Sequence, residues 1–282
     1  MLLGPVAARL SGRQRLAIVA DGALGYVPFA ALLLPSRADG GGEPIVLHYE
    51  VASLPSAAVL AGLRDARQGR PPAPRALAVV AAAGGGRDGL PWSGREGDAI
   101  AGLAAGEDVP VLAPSGADRA VLTGGLLRQF RTVHFATHGV VDSEHPRLSG
   151  LVLPGEAAGA GASSAAGANF LYLQDVYDLE LAADLVVLSG CRTALGREVR
   201  GEGLMGLARG FLAAGAGRVV ASLWAVEDRA TAELMSRFYR HLLVERRPPS
   251  AALRAAQIDL RRNLRWRDPY HWAGFVLVGD WQ

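Results

Sequence analysis

Lysine is absent from this 282-residue chain: all 29 basic residues are arginine, set against 27 acidic ones. The net charge of +2 is too small to argue by itself for a nucleic-acid partner. With the heavy use of Ala and Gly, the arginine-only set points to a GC-rich bacterial genome, a matter of codons more than of chemistry. Cysteine occurs once, which excludes an internal disulfide framework and favours a cytosolic, cytoplasmic setting. No run of about 18 apolar residues is free of charge or turn signals, so no membrane span and no membrane partner are expected. The opening Met1-Leu-Leu-Gly-Pro lacks a basic leader and does not read as a signal peptide. No Cys-His cluster suggests a metal. His134 and His138 are spaced i, i+4, but on a strand and with no Glu between them, which is not a metalloprotease pattern. Helical repeats are missing too.

What remains is an ordinary soluble composition, half hydrophobic and one fifth charged. Strand-like runs alternate with helical ones. Arg15–Ala20 and His48–Ser53 read as strands, and Ser56 caps a helix to about Gln68. Gly69-Arg-Pro-Pro-Ala-Pro-Arg75 is the clearest linker, since three prolines can continue neither element. The expected division is an N-terminal lobe over 1–68, the linker 69–75, and a larger lobe over 76–282. In the larger lobe, strands at Ala76–Ala82, Val109–Leu112, Thr132–Ala136, Leu185–Leu188, Arg218–Leu223 and Ala273–Val278 are interleaved with helices. That alternation implies a largely parallel sheet with helices on both faces. Gly155–Ala168, almost wholly Gly, Ala and Ser, reads as a loop.

The chain is organised around Leu185-Val-Val-Leu-Ser-Gly-Cys191. A buried parallel strand delivers the single thiol to its C-terminal edge, where open α/β sheets do their chemistry. A lone Cys after an apolar run is usually a small core residue. Here Gly190 before it and Arg192-Thr193 after it put the thiol in a turn. A second strand, Thr132–Ala136, ends in the same manner at Thr137-His138-Gly139. A Cys/His dyad needs such a pair: a base to form thiolate, and backbone N–H groups to hold an oxyanion.

The segments His134-Phe-Ala-Thr-His138-Gly139, Leu185–Gly196, Gly201–Ala216 and Ala221-Ser-Leu-Trp-Ala-Val-Glu-Asp228 together resemble the CHAT domain. That family stands with the caspase-like cysteine peptidases, beside separases and gingipains, and the resemblance runs from about Leu16 to Trp281. Cys191 follows His138 by 53 residues, close to the roughly 50 of the caspase pattern. The resemblance implies an α/β caspase-like three-layer sandwich and a cysteine endopeptidase with Cys191 as nucleophile and His138 as base. Gly139 and Cys191 N–H would form the oxyanion hole. It implies no cofactor and no metal, a protein or peptide substrate, and a regulatory protein or sensor module as partner. Arg192–Leu204, with its glycines, reads as a segment that must move for substrate to bind. A catalytically silent caspase-like interaction domain is the alternative.

Relatives that cut after basic residues need an acidic pocket. The candidates for substrate contact are Ser189, which is neutral, then Trp224, Glu227 and Asp228 after the next strand, and Asp21 at the end of the first. Asp228 can equally cap the helix that starts there. Asp142 is near His138 in sequence but reads as a turn residue. Gly84-Gly-Gly86-Arg-Asp-Gly89 matches a dinucleotide fingerprint, but Leu90-Pro91-Trp92 keeps a helix from starting inside it. The helix begins at Ser93, with Glu96 placed for a capping box. His134 reads as a satisfied core histidine, and Arg254, Arg261 and Arg265 as a solvated helix face.

Overall fold

Short apolar runs of β-branched and small residues form the middle layer of the computed structural model. It describes residues 3–10, 12–34, 42–81, 92–104, 111–112, 117–142, 145–153, 170–190 and 203–281. The strands are β1 (Arg15–Val19), β2 (Glu50–Leu54), β3 (Arg75–Ala81), β4 (Val111–Leu112), β5 (Phe130–Ala136), β6 (Gly139–Val140), β7 (Gly150–Val152), β8 (Phe170–Tyr172), β9 (Leu185–Leu188), β10 (Arg218–Ser222) and β11 (Phe275–Gly279). The helices are α1 (Ala7–Leu10), α2 (Ala57–Arg67), α3 (Ser93–Leu103), α4 (Arg119–Thr123), α5 (Leu173–Tyr177), α6 (Gly203–Ala213), α7 (Asp228–Tyr239) and α8 (Pro249–Arg262).

One eight-stranded sheet runs β1-β2-β11-β10-β9-β5-β3-β4, and β6-β7-β8 form a small antiparallel sheet beside it. Every pairing in the large sheet is parallel except β10 with β11. That one reversal turns β1, β2 and β11 against the other five strands. The fold is therefore the expected α/β sandwich with a mostly parallel sheet.

Side chains alternate strictly between two cores, as a pleated strand requires. Val133, Phe135, Val186, Leu188, Val219 and Ala221 pack under α5 and α6 with Val176, Leu207 and Phe211. Val79, Ala136, Leu185, Val187 and Val220 face the other way, under α3, α7 and α8 with Ile100, Leu234, Phe238 and Leu253. Leu185–Leu188 is buried on both faces, as its unbroken apolar run predicts.

The chain before the proline-rich stretch is not a separate core. Through β2–β11 pairing, β1 and β2 extend the same sheet, with Leu277 opposite Ala52. Leu63 of α2 packs into the core that holds β9 and β10. Arg64 Nη2 pairs with Asp280 Oδ1 at 3.0 Å, and Arg67 and Arg70 reach Asp184 and the Leu181 carbonyl. Residues 69–75 thus carry the chain from α2 to β3, and Arg75 is already in the strand. The expected two-lobe boundary is a crossover.

The arginine face expected to be solvated is only partly so. Arg254 donates from Nε to Val46 O at 2.7 Å and from Nη2 to Leu47 O at 2.6 Å, latching α8 to the segment before β2. Both loops read from composition, Gly84–Gly89 and Gly155–Ala168, lie outside the described residues.

Candidate active site

Two neighbouring strands bring the dyad segments to one edge. β5 and β9 pair in register from Thr132 with Leu185 to Phe135 with Leu188. The pairing continues past the strands: Ser189 N–H donates to Phe135 O at 3.0 Å, and Gly139 N–H donates to Gly190 O at 2.9 Å. His138 O accepts from Val152 N–H at 2.8 Å, which ties the histidine backbone to the small sheet. His138 is half-buried. Gly190 sits so close to β5 that a Cβ there would fall 1.9 Å from Thr137 O. Close approach, not turn geometry, is what demands glycine. Cys191 and the residues after it to Glu202, and with them the Cys191 amide of the expected oxyanion hole, lie outside the described residues.

The second expected oxyanion donor, Gly139 N–H, is engaged with Gly190 O in this conformation. Asp142 behaves as a turn residue: its Oδ1 accepts from His145 N–H at 2.8 Å.

Directly behind the strand ends lies a buried polar set that sequence reasoning missed. Glu96 Oε1 is 2.8 Å from His134 Nε2, Tyr239 OH is 3.1 Å from His134 Nδ1, and Ser189 Oγ is 3.3 Å from His134 Nε2. All four residues are buried, at 3% exposure or less. Burial first, and then the Glu96 charge, push the Tyr239 phenol pKa well above its ordinary value. A protonated phenol must place its O–H, and His134 Nδ1 is the acceptor in reach. The imidazole proton then belongs on Nε2, donated to the Glu96 carboxylate. Ser189 O–H faces Phe135 O at 3.4 Å, leaving its lone pair toward Nε2.

Two expectations change here. Glu96 makes no capping box; α3 begins at Ser93 as read, but its N-cap Trp92 has no side-chain cap bond, and the carboxylate turns inward to His134. Ser189 points into this set and not into an open cleft, so it cannot line a substrate pocket in this conformation. The available signal was the buried helical stripe Ser93, Glu96, Gly97, Ile100, with a carboxylate where an apolar residue is usual. His134 is the satisfied core histidine its position implied.

Of the other pocket candidates, three share the dyad's edge. Trp224 follows β10, stacks on Tyr270 with ring centroids 6.3 Å apart, and donates Nε1–H to Tyr270 O at 2.9 Å. Glu227 is exposed and lies 3.8 Å from both Arg265 and His271. Asp228 opens α7 directly after its N-cap Glu227, and its Oδ2 accepts from Trp92 N–H at 3.1 Å. The ring of Trp92 is flanked by Arg95 and Arg229 at 4.7 and 5.1 Å. Asp21 is excluded. β1 runs opposite to β9, so its C-terminal end lies at the other edge of the sheet, with three strands between. There Asp21 caps the turn that follows it, accepting from Gly22 N–H at 2.8 Å.

The CHAT domain family model matches residues 1–280. The chain belongs to the CHAT family. Tetratricopeptide repeat protein 28 from Mus musculus is 41% identical over 106 residues, and its Homo sapiens counterpart is 39% identical over 106. The match takes in 38% of this chain and only 4% of either relative. Both relatives are mammalian, so they lend the codon argument for a bacterial source no support. Among solved structures, the Arg-specific cysteine proteinase gingipain R aligns with a TM-score of 0.50 and 12% identity over 83% of this chain and 55% of that one. The separase of the Saccharomyces cerevisiae separase–securin complex aligns with a TM-score of 0.50 and 14% identity, over 82% of this chain and 14% of that one. At such identities the likeness establishes the fold alone, and that fold is caspase-like.

In this CHAT domain the chemistry the described residues bring to the edge is a half-buried imidazole and backbone amides, with Gly190 the last described residue before the single cysteine. Among the described residues no group of three His, Cys, Asp or Glu could hold a metal ion, and no helix is long and apolar enough to cross a membrane.

Proposed function

We propose that this CHAT domain is a cysteine endopeptidase acting through Cys191 and His138. The observation that carries the reading is the in-register meeting of the β5 and β9 ends, with Gly190 pressed on Thr137. Adjacent parallel strands are about 4.8 Å apart, and that spacing would let a base just past one strand meet a thiol just past the other. His138 takes the thiol proton, and the thiolate Sγ attacks the peptide carbonyl carbon. The carbonyl oxygen becomes an oxyanion facing Gly139 and Cys191 N–H. The C–N bond then breaks as His138 returns the proton to the leaving amine. Water, deprotonated by the same imidazole, hydrolyses the thioester and releases the acid and the thiol.

Holding an oxyanion requires that Gly139 N–H leave Gly190 O. That requirement supports regulation: a partner or sensor module that favours the released arrangement would switch activity on. Preference for a basic residue before the cut would come from Asp228 or Glu227, with Trp224 as a flat wall for the aliphatic stem. The engaged amide equally supports a second reading, a catalytically silent domain whose surface serves a partner. Incubation with a peptide library, followed by sequencing of new termini with Cys191→Ala as control, separates the two. Cleavage lost in Cys191→Ala supports the peptidase. No cleavage with or without candidate partners favours the silent domain. Cutting after Leu or Met as readily as after Arg refutes the acidic pocket.

A further inference from the structure

A buried carboxylate–imidazole pair is an expensive way to fill a core. Replacing such a pair with apolar side chains of similar volume is often neutral or stabilising. Around His134 the neighbouring positions are already apolar: Val79, Ala136, Val187, Leu234 and Phe238 share its side of the sheet. Packing alone would therefore be served by another apolar residue. What apolar packing does not supply is direction along the strand axis. Hydrogen bonds do, and a fully satisfied buried network fixes one arrangement of the elements that carry it.

Four elements meet at this imidazole. Glu96 comes from α3, His134 from β5, Tyr239 from the end of α7, and Ser189 from the position directly after β9. Two of these elements are the ones that present the dyad. His134 precedes His138 by four residues on β5, and Ser189 precedes Cys191 by two. A slip of one residue between the strands would displace their ends by about 3.3 Å, enough to break a thiol–imidazole hydrogen bond. Ala136, two residues after His134 in β5, shares its face, so the network lies on the α3 and α7 side of the sheet, at the end of β5 that leads to His138.

We propose that Glu96, His134, Tyr239 and Ser189 form a positioning network for the dyad: Glu96 and Tyr239 orient His134, and His134 holds Ser189 and Gly190 at a fixed height against β5. The role rests on the Cys191/His138 reading. None of the four touches substrate, and none is a catalytic residue.

Cys191 is the sole cysteine, which makes it its own reporter. The test is the rate of iodoacetamide alkylation against pH, read by intact mass, on the full chain and on Glu96→Gln, Tyr239→Phe and Ser189→Ala, with thermal melts of each. In the wild type the rate should titrate with an apparent pKa below the roughly 8.5 of a free thiol, because His138 stabilises thiolate. In the three variants the apparent pKa should rise by about one unit and the rate near neutrality should fall about tenfold, while the melts stay cooperative. A merely structural network would lower the melting temperature and leave the pH profile where it was. That result overturns the proposal and spares the dyad. A wild type that alkylates no faster than a model thiol overturns the dyad reading, and the positioning role with it. Should Glu96→Gln fail to fold, Ser189→Ala, which removes one oxygen, decides the matter alone.

Discussion

Replacing Gly190 by alanine tests whether the two strand ends are as tightly apposed as they stand. The backbone at Gly190 is not in the left-handed region, so an alanine there carries no torsional penalty. By reducing unfolded-state freedom it would stabilise by about 0.4–1 kcal/mol if space allowed. Space does not allow it. The added Cβ would lie 1.9 Å from Thr137 O, 2.5 Å from Thr137 C and 2.9 Å from Thr137 N. The obstacle is backbone of a buried strand end, not the tip of a flexible side chain. Withdrawal would strain the Ser189–Phe135 and Gly139–Gly190 hydrogen bonds. Overpacking of this kind destabilises by about 1–3 kcal/mol, and a backbone clash belongs at the upper end of that range. Guanidinium unfolding should show a lower midpoint with an unchanged slope. Gly206→Ala is the control: it lies within α6, where the nearest atom to its Cβ is Leu173 Cδ2 at 4.0 Å, so alanine should stabilise there by about 0.5–1 kcal/mol. If Gly190→Ala unfolds within about 0.5 kcal/mol of wild type, the close approach at Thr137 is not real.

Three further outcomes can be read on the same instrument. Asp175 accepts from Arg119 Nε and Nη2 at 2.9 and 2.7 Å and from Tyr172 N–H at 2.9 Å; Asp175→Ala should cost about 1–3 kcal/mol and Arg119→Ala clearly less, because the guanidinium is exposed and keeps its water. The reverse order refutes the assignment. Arg218 is buried beside Arg67, Asp184 and Asp280, and its pKa is lowered to about 10, chiefly by burial and then by Arg67; its charged form is thus disfavoured by folding and Asp280 keeps Arg64 as a partner, so Arg218→Met should be neutral within about 1 kcal/mol or stabilising, and a loss above about 2 kcal/mol would count against it. Glu245 is held below its ordinary value by a hydrogen bond with His241 and by Arg247. Its contribution is present above the unfolded value of about 4.3 and is lost as pH falls through the folded one, so wild type should lose midpoint in acid more steeply than Glu245→Gln. Parallel acid limbs would refute the pairing.

The dyad strands were legible because their signal is local. Leu185–Leu188 needs no partner to read as a strand buried on both faces, and β5 ends beside it in the same pattern of turn and polar residue. Ser56 was legible as a cap for the same reason, and its Oγ accepts from Val59 N–H at 3.1 Å. What was not legible depends on residues far apart in sequence. β2 joins the rest of the sheet through β11, with Leu277 opposite Ala52, and nothing local in the proline-rich linker between the two expected lobes marks that pairing. The direction of β11 carries no local mark either. Its reversal against β10 sends Asp21 to the far edge and removes it from the pocket. Arg254 looked solvated because the carbonyls it satisfies, Val46 and Leu47, are on another element. Glu96 is the exception, since its place on a buried helical stripe was visible and was misread as a cap.

Gly139 N–H is the one group on which the peptidase and the silent readings divide, and its energetics decide how far apart they are. A neutral backbone hydrogen bond contributes about 0.5–1.5 kcal/mol net. Opening it in place shifts a two-state equilibrium by roughly tenfold per 1.4 kcal/mol, so a single such bond holds the closed form by one order of magnitude or less. A partner needs only a differential affinity of that size to reverse the balance. An oxyanion is itself a stronger acceptor than the Gly190 carbonyl, because charge-assisted hydrogen bonds are about twice as strong as neutral ones. Substrate reaching the transition state would therefore compete for the amide directly. On the peptidase reading the hydrogen bond to Gly190 O would tune the site by about tenfold; on the silent reading it would stand together with a further lesion, at Cys191, at His138, or in the network that sets their distance.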